Sequence, residues 1–220
     1  MELLHHLNIG LHILFGSVGL LLGLVPMFSR HGGARHIRFG RWFLRVLTVV
    51  LATAVLGLAV FNFRPFLAIV VMLTVYQAWS GYRVMRTRTT GPTHADAAFS
   101  AVFLLGSIGF LLTLHLIDLV WSPVVIYSSL GFLIALTIYD LARFAFVPLW
   151  RRKLWLYDHI WKMISSYFAL VSAFTGTVLA QYQPYSQFLP SMVGTALGVS
   201  FILYYALRRA PARPLAGSAV

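Results

Sequence analysis

Long apolar runs, separated by short breaks that carry charge or proline, cover almost the whole chain. The runs lie at about residues 8–28, 40–61, 65–85, 96–117, 124–146, 159–182 and 189–208. Each is close to the roughly 20 apolar residues with which a helix crosses about 30 Å of hydrocarbon. Helices are favoured because an open strand would leave backbone amides unsatisfied in lipid. The pattern therefore predicts an all-α polytopic membrane protein, a bundle of seven transmembrane helices.

The breaks between the runs are short, and most contain a proline where a helix is expected to stop or start. These prolines are Pro65, Pro92, Pro123, Pro148 and Pro184. None of the breaks has room for an inserted soluble domain. The sequence therefore predicts a single seven-helix transmembrane domain over residues 1–210, followed by a flexible cytoplasmic tail over residues 211–220.

Composition narrows the chemistry that such a bundle can perform. Hydrophobic residues make up 60% of the chain, charged residues 10%, and the mean hydropathy is +0.83, which excludes a soluble globule. The chain has no cysteine, so disulfides, thiolate-bound metals, iron–sulfur centres and c-type haem attachment are excluded. Glycine-rich phosphate-binding loops and the GxSxG elbow are also missing. Histidine and carboxylate chemistry remains.

The basic residues predict the orientation of the bundle. They fall in alternate connections, and the opposite connections carry only Arg64. The basic connections contain Arg30, Arg35, Arg38 and Arg41; Arg83, Arg86 and Arg88; Arg143, Arg151, Arg152 and Lys153; Arg208, Arg209 and Arg213. The positive-inside rule then places the N-terminus outside and the C-terminus in the cytoplasm, in the cell inner (cytoplasmic) membrane. The formal charge of +12 is explained by this topology and by anionic headgroups, so the lipid bilayer, not nucleic acid, is the predicted partner.

Four histidines near the ends of the runs are candidate cofactor ligands. His12 and His115 lie towards the outer side, and His36 and His159 towards the cytoplasmic side. Within each pair the two residues have nearly matched depth, as two imidazoles on one iron require. The prediction is a redox protein that moves electrons within or across the membrane with b-type haem, one haem per pair. Arg83 and Lys162 are the residues expected to neutralise haem propionates or a quinone head.

Three other functions remain open for the same residues. The first is a non-catalytic accessory or scaffold subunit, whose partner is another membrane protein. The second is a small transporter in which Asp140, His159, Lys162 and Ser166 line a cytoplasmic vestibule. The third is a membrane hydrolase with zinc, or a similar divalent metal, held by His36, Asp140 and His159. Asp140 is also spaced to pair with Arg143 on one helix face.

A row of small residues marks one face of the first run. His12, Gly16, Gly19, Gly23 and Pro26 follow helical spacing. Glycines on one face allow neighbouring backbones to approach closely. This face is therefore expected to point into the bundle and to carry His12 with it. The sixth run has a similar face, formed by His159, Met163, Ser166 and Leu170.

Three stretches of the chain resemble a family of bacterial membrane proteins catalogued as domain of unknown function 2306. They are LHILFGSVGLLLGLVPMFSRHGGARHIRFGRWF, VYQAWSGYRVMRTR and HIWKMISSYFALVSAF. The matching positions are His12, Gly33, His36, Gly40, Tyr76, Gly81, Tyr82, Arg83, His159, Met163, Tyr167 and Phe174. The resemblance implies an integral membrane protein and supplies no reaction.

Overall fold

The fold is known from a computed structural model that describes residues 1–118 and 122–207. Most of these residues are helical, and none of them forms a β-strand. The long α-helices are α1 (Glu2–Phe28), α2 (Ala34–Leu56), α3 (Pro65–Thr87), α4 (His94–Leu116), α5 (Pro123–Ala142), α6 (Trp155–Val178) and α7 (Tyr185–Leu207). The predicted tail, residues 211–220, lies outside the described residues.

Within the described residues, six helical segments are long and apolar enough to cross a membrane. Five of them contain one long helix each. The remaining segment, Pro123–Val178, has 56 residues and contains both α5 and α6. The predicted all-α, multi-pass membrane architecture is therefore confirmed at this level.

Local sequence explains several helix boundaries. Pro65 and Pro123 open α3 and α5, where a missing backbone N–H costs nothing. Thr93 and Asp96 form a reciprocal capping box at the start of α4. The connection from Arg143 to Leu154 consists of a 3₁₀ turn, a single α turn and a π turn. Pro148 lies in the first turn of the α segment, in agreement with the expectation that a helix stops or starts there.

Helices α3 and α6 form the centre of the bundle. Helix α6 packs against α1, α3 and α7, and α3 also contacts α5. One apolar cluster joins α3 to α4 and α5, and its buried members are Ile69, Leu73, Tyr76, Leu114, Ile126, Leu130, Leu133 and Leu136. A second joins α2, α3 and α6, and its buried members are Phe43, Val46, Leu47, Val50, Ala78, Tyr167 and Leu170.

The small-residue face of α1 points into the bundle over only part of its length. Gly19 and Gly23 are buried, and a Cβ at Gly23 would come within 2.6 Å of Cε2 of Tyr167 on α6. Gly16, by contrast, would meet nothing within 4 Å. The close approach of α1 to α6 therefore depends on Gly19 and Gly23, in the C-terminal half of α1.

Candidate functional site

The end of the bundle that carries residues 29–33, 88–93 and 143–154 is called the basic end here. His36, in the first turn of α2, and His159, near the start of α6, meet at this end. Their ring centroids are 6.4 Å apart with an interplanar angle of 69°. Both side chains are half-buried. The structure therefore brings together the pair of histidines predicted for the cytoplasmic side.

Backbone carbonyls fix the tautomer of both rings. Nδ1 of His36 lies 3.0 Å from the carbonyl oxygen of Pro26, and Nδ1 of His159 lies 3.2 Å from that of Gly81. A carbonyl oxygen only accepts, so Nδ1 of each ring carries the proton. With the proton on Nδ1, the lone pair that can ligate a metal is on Nε2 of each ring. Histidines that ligate metals are oriented in this same way.

A third imidazole lies beside this pair. The ring of His31, in the connection between α1 and α2, is 5.5 Å from the ring of His36. It also makes edge contacts with Phe201 and Tyr205 of α7. Partial burial, and secondly the neighbouring His36, lower the pKa of His31. The connection therefore presents a neutral imidazole at neutral pH.

Four charged side chains form a buried group beside the histidine pair, and we call this group the ionic cluster: Asp140, Arg143, Asp158 and Lys162. Nζ of Lys162 donates to both carboxylate oxygens of Asp140, at 2.6 and 2.8 Å. Nη1 of Arg143 lies 3.3 Å from Asp140 and 3.5 Å from Asp158. The predicted pairing of Asp140 with Arg143 is confirmed. With two carboxylates and two cations, the cluster has no net charge.

Neutral donors complete the shell around the two carboxylates. The hydroxyl of Tyr76 donates to Asp140 at 2.6 Å. Asp158 accepts from the hydroxyl of Tyr139 at 2.7 Å and from the indole N–H of Trp150 at 2.5 Å. Each carboxylate is thus held by hydrogen bonds in addition to its ion pair, as a buried charge requires.

Burial makes the ionic cluster a major structural element of the basic end. Lys162 is 0% exposed, Asp140 and Arg143 are 1% exposed, and Asp158 is 6% exposed. Together with Tyr76 the cluster links α3, α5 and α6, and Ser100 adds α4 through a contact of 2.8 Å with the Tyr76 hydroxyl. It fixes the rotation of α6, and therefore the direction in which His159 points.

The two basic side chains predicted to neutralise haem propionates or a quinone head, Arg83 and Lys162, are each paired with a carboxylate of the protein. Lys162 is bound to Asp140, as described above. Arg83 donates to Asp96 at 2.8 Å from Nε and to Thr93 at 2.9 Å from Nη2, which joins α3 to α4. Ser166, predicted to line a vestibule, is 0% exposed and donates to the carbonyl of Met163.

The structure does not place His12 beside His115. Nδ1 of His12, on α1, lies 2.9 Å from the hydroxyl oxygen of Thr53 on α2. His115, on α4, is exposed, and its two nitrogens contact the carbonyl of Leu111 and the hydroxyl of Tyr127 on α5, each at 2.9 Å. The carbonyl fixes the proton on Nδ1, so Nε2 of His115 accepts from Tyr127. The lone pair of Nε2 is therefore engaged in this hydrogen bond.

The structure also separates Asp140 from the predicted zinc ligands. Asp140 faces Lys162 and Tyr76, whereas His36 and His159 face each other. Over residues 1–118 and 122–207, no group of three or more histidine and carboxylate side chains is arranged to hold a metal ion. The two imidazoles remain as the possible ligand set.

Sequence reasoning missed the role of Asp158 and its aromatic partners. One available signal was the scarcity of acidic residues, since the whole chain has five. Another was the position of Asp158 four residues before Lys162, which places both on one helix face. The partnership of Tyr76 with Asp140 depends on tertiary packing and has no local signature.

Comparison of the chain with protein-family profiles, with curated proteins and with solved structures gives no match. The resemblance to domain of unknown function 2306 therefore stays a prediction that rests on the residues quoted above.

Proposed function

We propose that the protein crosses the cytoplasmic membrane seven times, with its N-terminus outside and the basic end in the cytoplasm. The segment Pro123–Val178, at 56 residues, would be about 84 Å long as one helix, far more than a bilayer needs. Its break at residues 143–154 supports two separate crossings by α5 and α6. That break also carries Arg151, Arg152 and Lys153, which favours a cytoplasmic position.

Cysteine labelling tests this topology, because the chain has no native cysteine. With a membrane-impermeant maleimide on intact cells, we expect Asn62→Cys and Gln181→Cys to react. We expect Arg88→Cys and Arg152→Cys to react only after permeabilisation. Protection of Gln181→Cys in intact cells while Asn62→Cys reacts would contradict seven crossings, because α5 and α6 would then count as one.

For the activity, we propose a membrane redox protein that binds a transition-metal cofactor through Nε2 of His36 and Nε2 of His159. A b-type haem is the form expected from the ligand chemistry. The observation that carries the proposal is the paired geometry of the two rings, with both Nδ1 atoms held by backbone carbonyls.

The separation of the rings fits two imidazoles on one metal. Two metal–nitrogen bonds of about 2.0–2.1 Å, added to the distances from each nitrogen to its ring centre, give roughly 6 Å between centroids. The observed separation is 6.4 Å. When bound, such a cofactor supplies one-electron transfer. The protein supplies two imidazole ligands and an orientation of α6 that the ionic cluster fixes.

Optical spectra of the purified protein test the redox proposal. In detergent, from haem-supplemented cells, we expect a Soret band and a sharp alpha band after dithionite reduction. His36→Ala and His159→Ala are each expected to remove at least about nine-tenths of the cofactor, since one remaining imidazole would hold haem weakly. His115→Ala is the control and is expected to retain it.

Gel filtration and circular dichroism separate loss of a ligand from loss of the fold. The histidine variants are expected to elute as the parent protein does, with unchanged helix content. A colourless parent protein that also lacks stoichiometric copper or iron would refute the redox function. It would leave the accessory role as the better account of the same fold.

A further inference from the structure

A cavity lies at the end of the bundle opposite the basic end. It has a volume of about 300 Å³ and lies where α3 and α7 begin and α6 ends. Its wall includes Arg64, Phe66, Gly176, Gln183 and Gln187. This volume corresponds to roughly ten water molecules. The cavity shares none of its lining residues with the histidine pair or the ionic cluster.

The polar groups of this cavity favour an anion that also carries hydroxyl groups. Arg64 is exposed and makes no ion pair within the described parts of the chain. Gln187 is 5% exposed, and its Oε1 has no hydrogen-bond partner among the described residues. Nε2 of Gln183 donates to the carbonyl of Gly176 at 2.9 Å, which leaves its own Oε1 as an acceptor. The wall of the cavity thus contains one cation and two amide oxygens, of which that of Gln187 is buried without a described partner.

An apolar groove continues from the polar cavity. A second cavity of about 250 Å³ shares Phe63 with the first and lies between the end of α2 and α3. Its lining is apolar and reaches Met72. Met72 is seven residues beyond Pro65, which is about 10 Å deeper at the rise of a helix. From the shared Phe63, the groove therefore extends along α3 towards the centre of the hydrocarbon.

Exposed aromatic side chains place the polar cavity at headgroup level. Phe63 is 54% exposed, and Tyr182 and Tyr185 are each 61% exposed, all at this end of the bundle. Tyrosines concentrate at the boundary between hydrocarbon and headgroups. A polar cavity at this depth, beside an apolar groove, matches the division of an amphiphile into a polar headgroup and an apolar chain.

We infer that this site binds one anionic glycerophospholipid whose headgroup carries free hydroxyls. Its phosphate lies against Arg64, its hydroxyls donate to Gln187 and Gln183, and one acyl chain follows the groove. Gly176 allows Phe66 and Gln187 to pack closely on the end of α6. A Cβ there would lie 2.8 Å from Cε1 of Phe66 and 3.1 Å from Cγ of Gln187 and would displace the wall.

Native mass spectrometry of the full chain in detergent tests this inference with three lipids of identical acyl chains. We expect one phosphatidylglycerol to bind at least about ten-fold more tightly than phosphatidylcholine. Both lipids carry the phosphate, but the choline cation of phosphatidylcholine cancels its charge beside Arg64 and has no hydroxyl to donate to the glutamines. Arg64→Gln is expected to remove this preference. Gln187→Leu is expected to weaken phosphatidylglycerol about five-fold and to leave phosphatidic acid unchanged, since phosphatidic acid has no headgroup hydroxyl.

Two controls make the outcome decisive. Arg152→Gln removes an exposed charge at the basic end and is expected to leave the affinity unchanged. Glycerol 3-phosphate, which lacks acyl chains, is expected to compete poorly, since it gains nothing from the groove. Equal binding of phosphatidylglycerol and phosphatidylcholine, or unchanged selectivity in Arg64→Gln, would overturn the site. Strong competition by glycerol 3-phosphate would overturn the role of the groove and identify a soluble phosphate ester as the ligand.

Discussion

Replacing Lys162 by methionine is expected to destabilise the protein by about 3–5 kcal/mol, the usual cost of leaving one partner of a buried ion pair without the other. Lys162 is 0% exposed and makes two hydrogen bonds to Asp140, which is itself 1% exposed. Without the ammonium group, the carboxylate retains Tyr76 and the longer contact with Arg143. Neither of these contacts compensates for the loss of the two short hydrogen bonds from Lys162.

Unfolding by sodium dodecyl sulfate in mixed micelles, followed by circular dichroism, measures this change. The matched control is Lys153→Met, because Lys153 is the other lysine of the chain and is exposed. It is expected to change stability by no more than about 0.5 kcal/mol. The double variant Asp140→Asn with Lys162→Met should recover part of the loss, since no uncompensated carboxylate then remains. Equal midpoints for the two lysine variants would show that the ion pair contributes nothing to stability.

Hydropathy predicted the helical architecture well, because every segment that crosses lipid must form all of its backbone hydrogen bonds internally. The ends of the helices were predicted less accurately. Helix α6 begins at Trp155, ahead of the predicted start at about residue 159. Helix α1 begins at Glu2 instead of about residue 8. Helices continue past the apolar run, because hydrogen bonding and not hydropathy decides where a backbone stops being helical.

The candidate site was predictable only where local spacing determines it. Matched depth along two helices correctly predicted that His36 and His159 meet, since both lie near the ends of their helices. The same argument failed for His12 and His115, because depth says nothing about which helices are neighbours. Helix α1 packs against α2 and α6, and α4 packs against α3 and α5. The order in which helices pack is a tertiary property and decides which equal-depth pairs can form a site.

Replacing Gly23 by alanine, where α1 approaches α6, is expected to lower the free energy of unfolding by about 1–3 kcal/mol. This is the usual cost of adding atoms to a closely packed interface. The new Cβ would lie 2.6 Å from Cε2 of Tyr167 and 3.0 Å from Cε2 of Phe43. Both rings are at least nine-tenths buried, and the Tyr167 hydroxyl is tied to the carbonyl of Leu20 at 3.1 Å. They have little room to move, so α1 must shift away.

Gly16→Ala is the matched control, since it adds the same methyl group to the same face of the same helix. A Cβ at Gly16 meets nothing within 4 Å. Alanine also favours the helix over glycine, so we expect this variant to unfold at the same or a slightly higher detergent fraction. Measured together, the two variants separate packing from helix propensity, because propensity acts equally at both positions. If both alanines shift the midpoint in the same direction by the same amount, then close packing of α1 on α6 at Gly23 contributes nothing to stability.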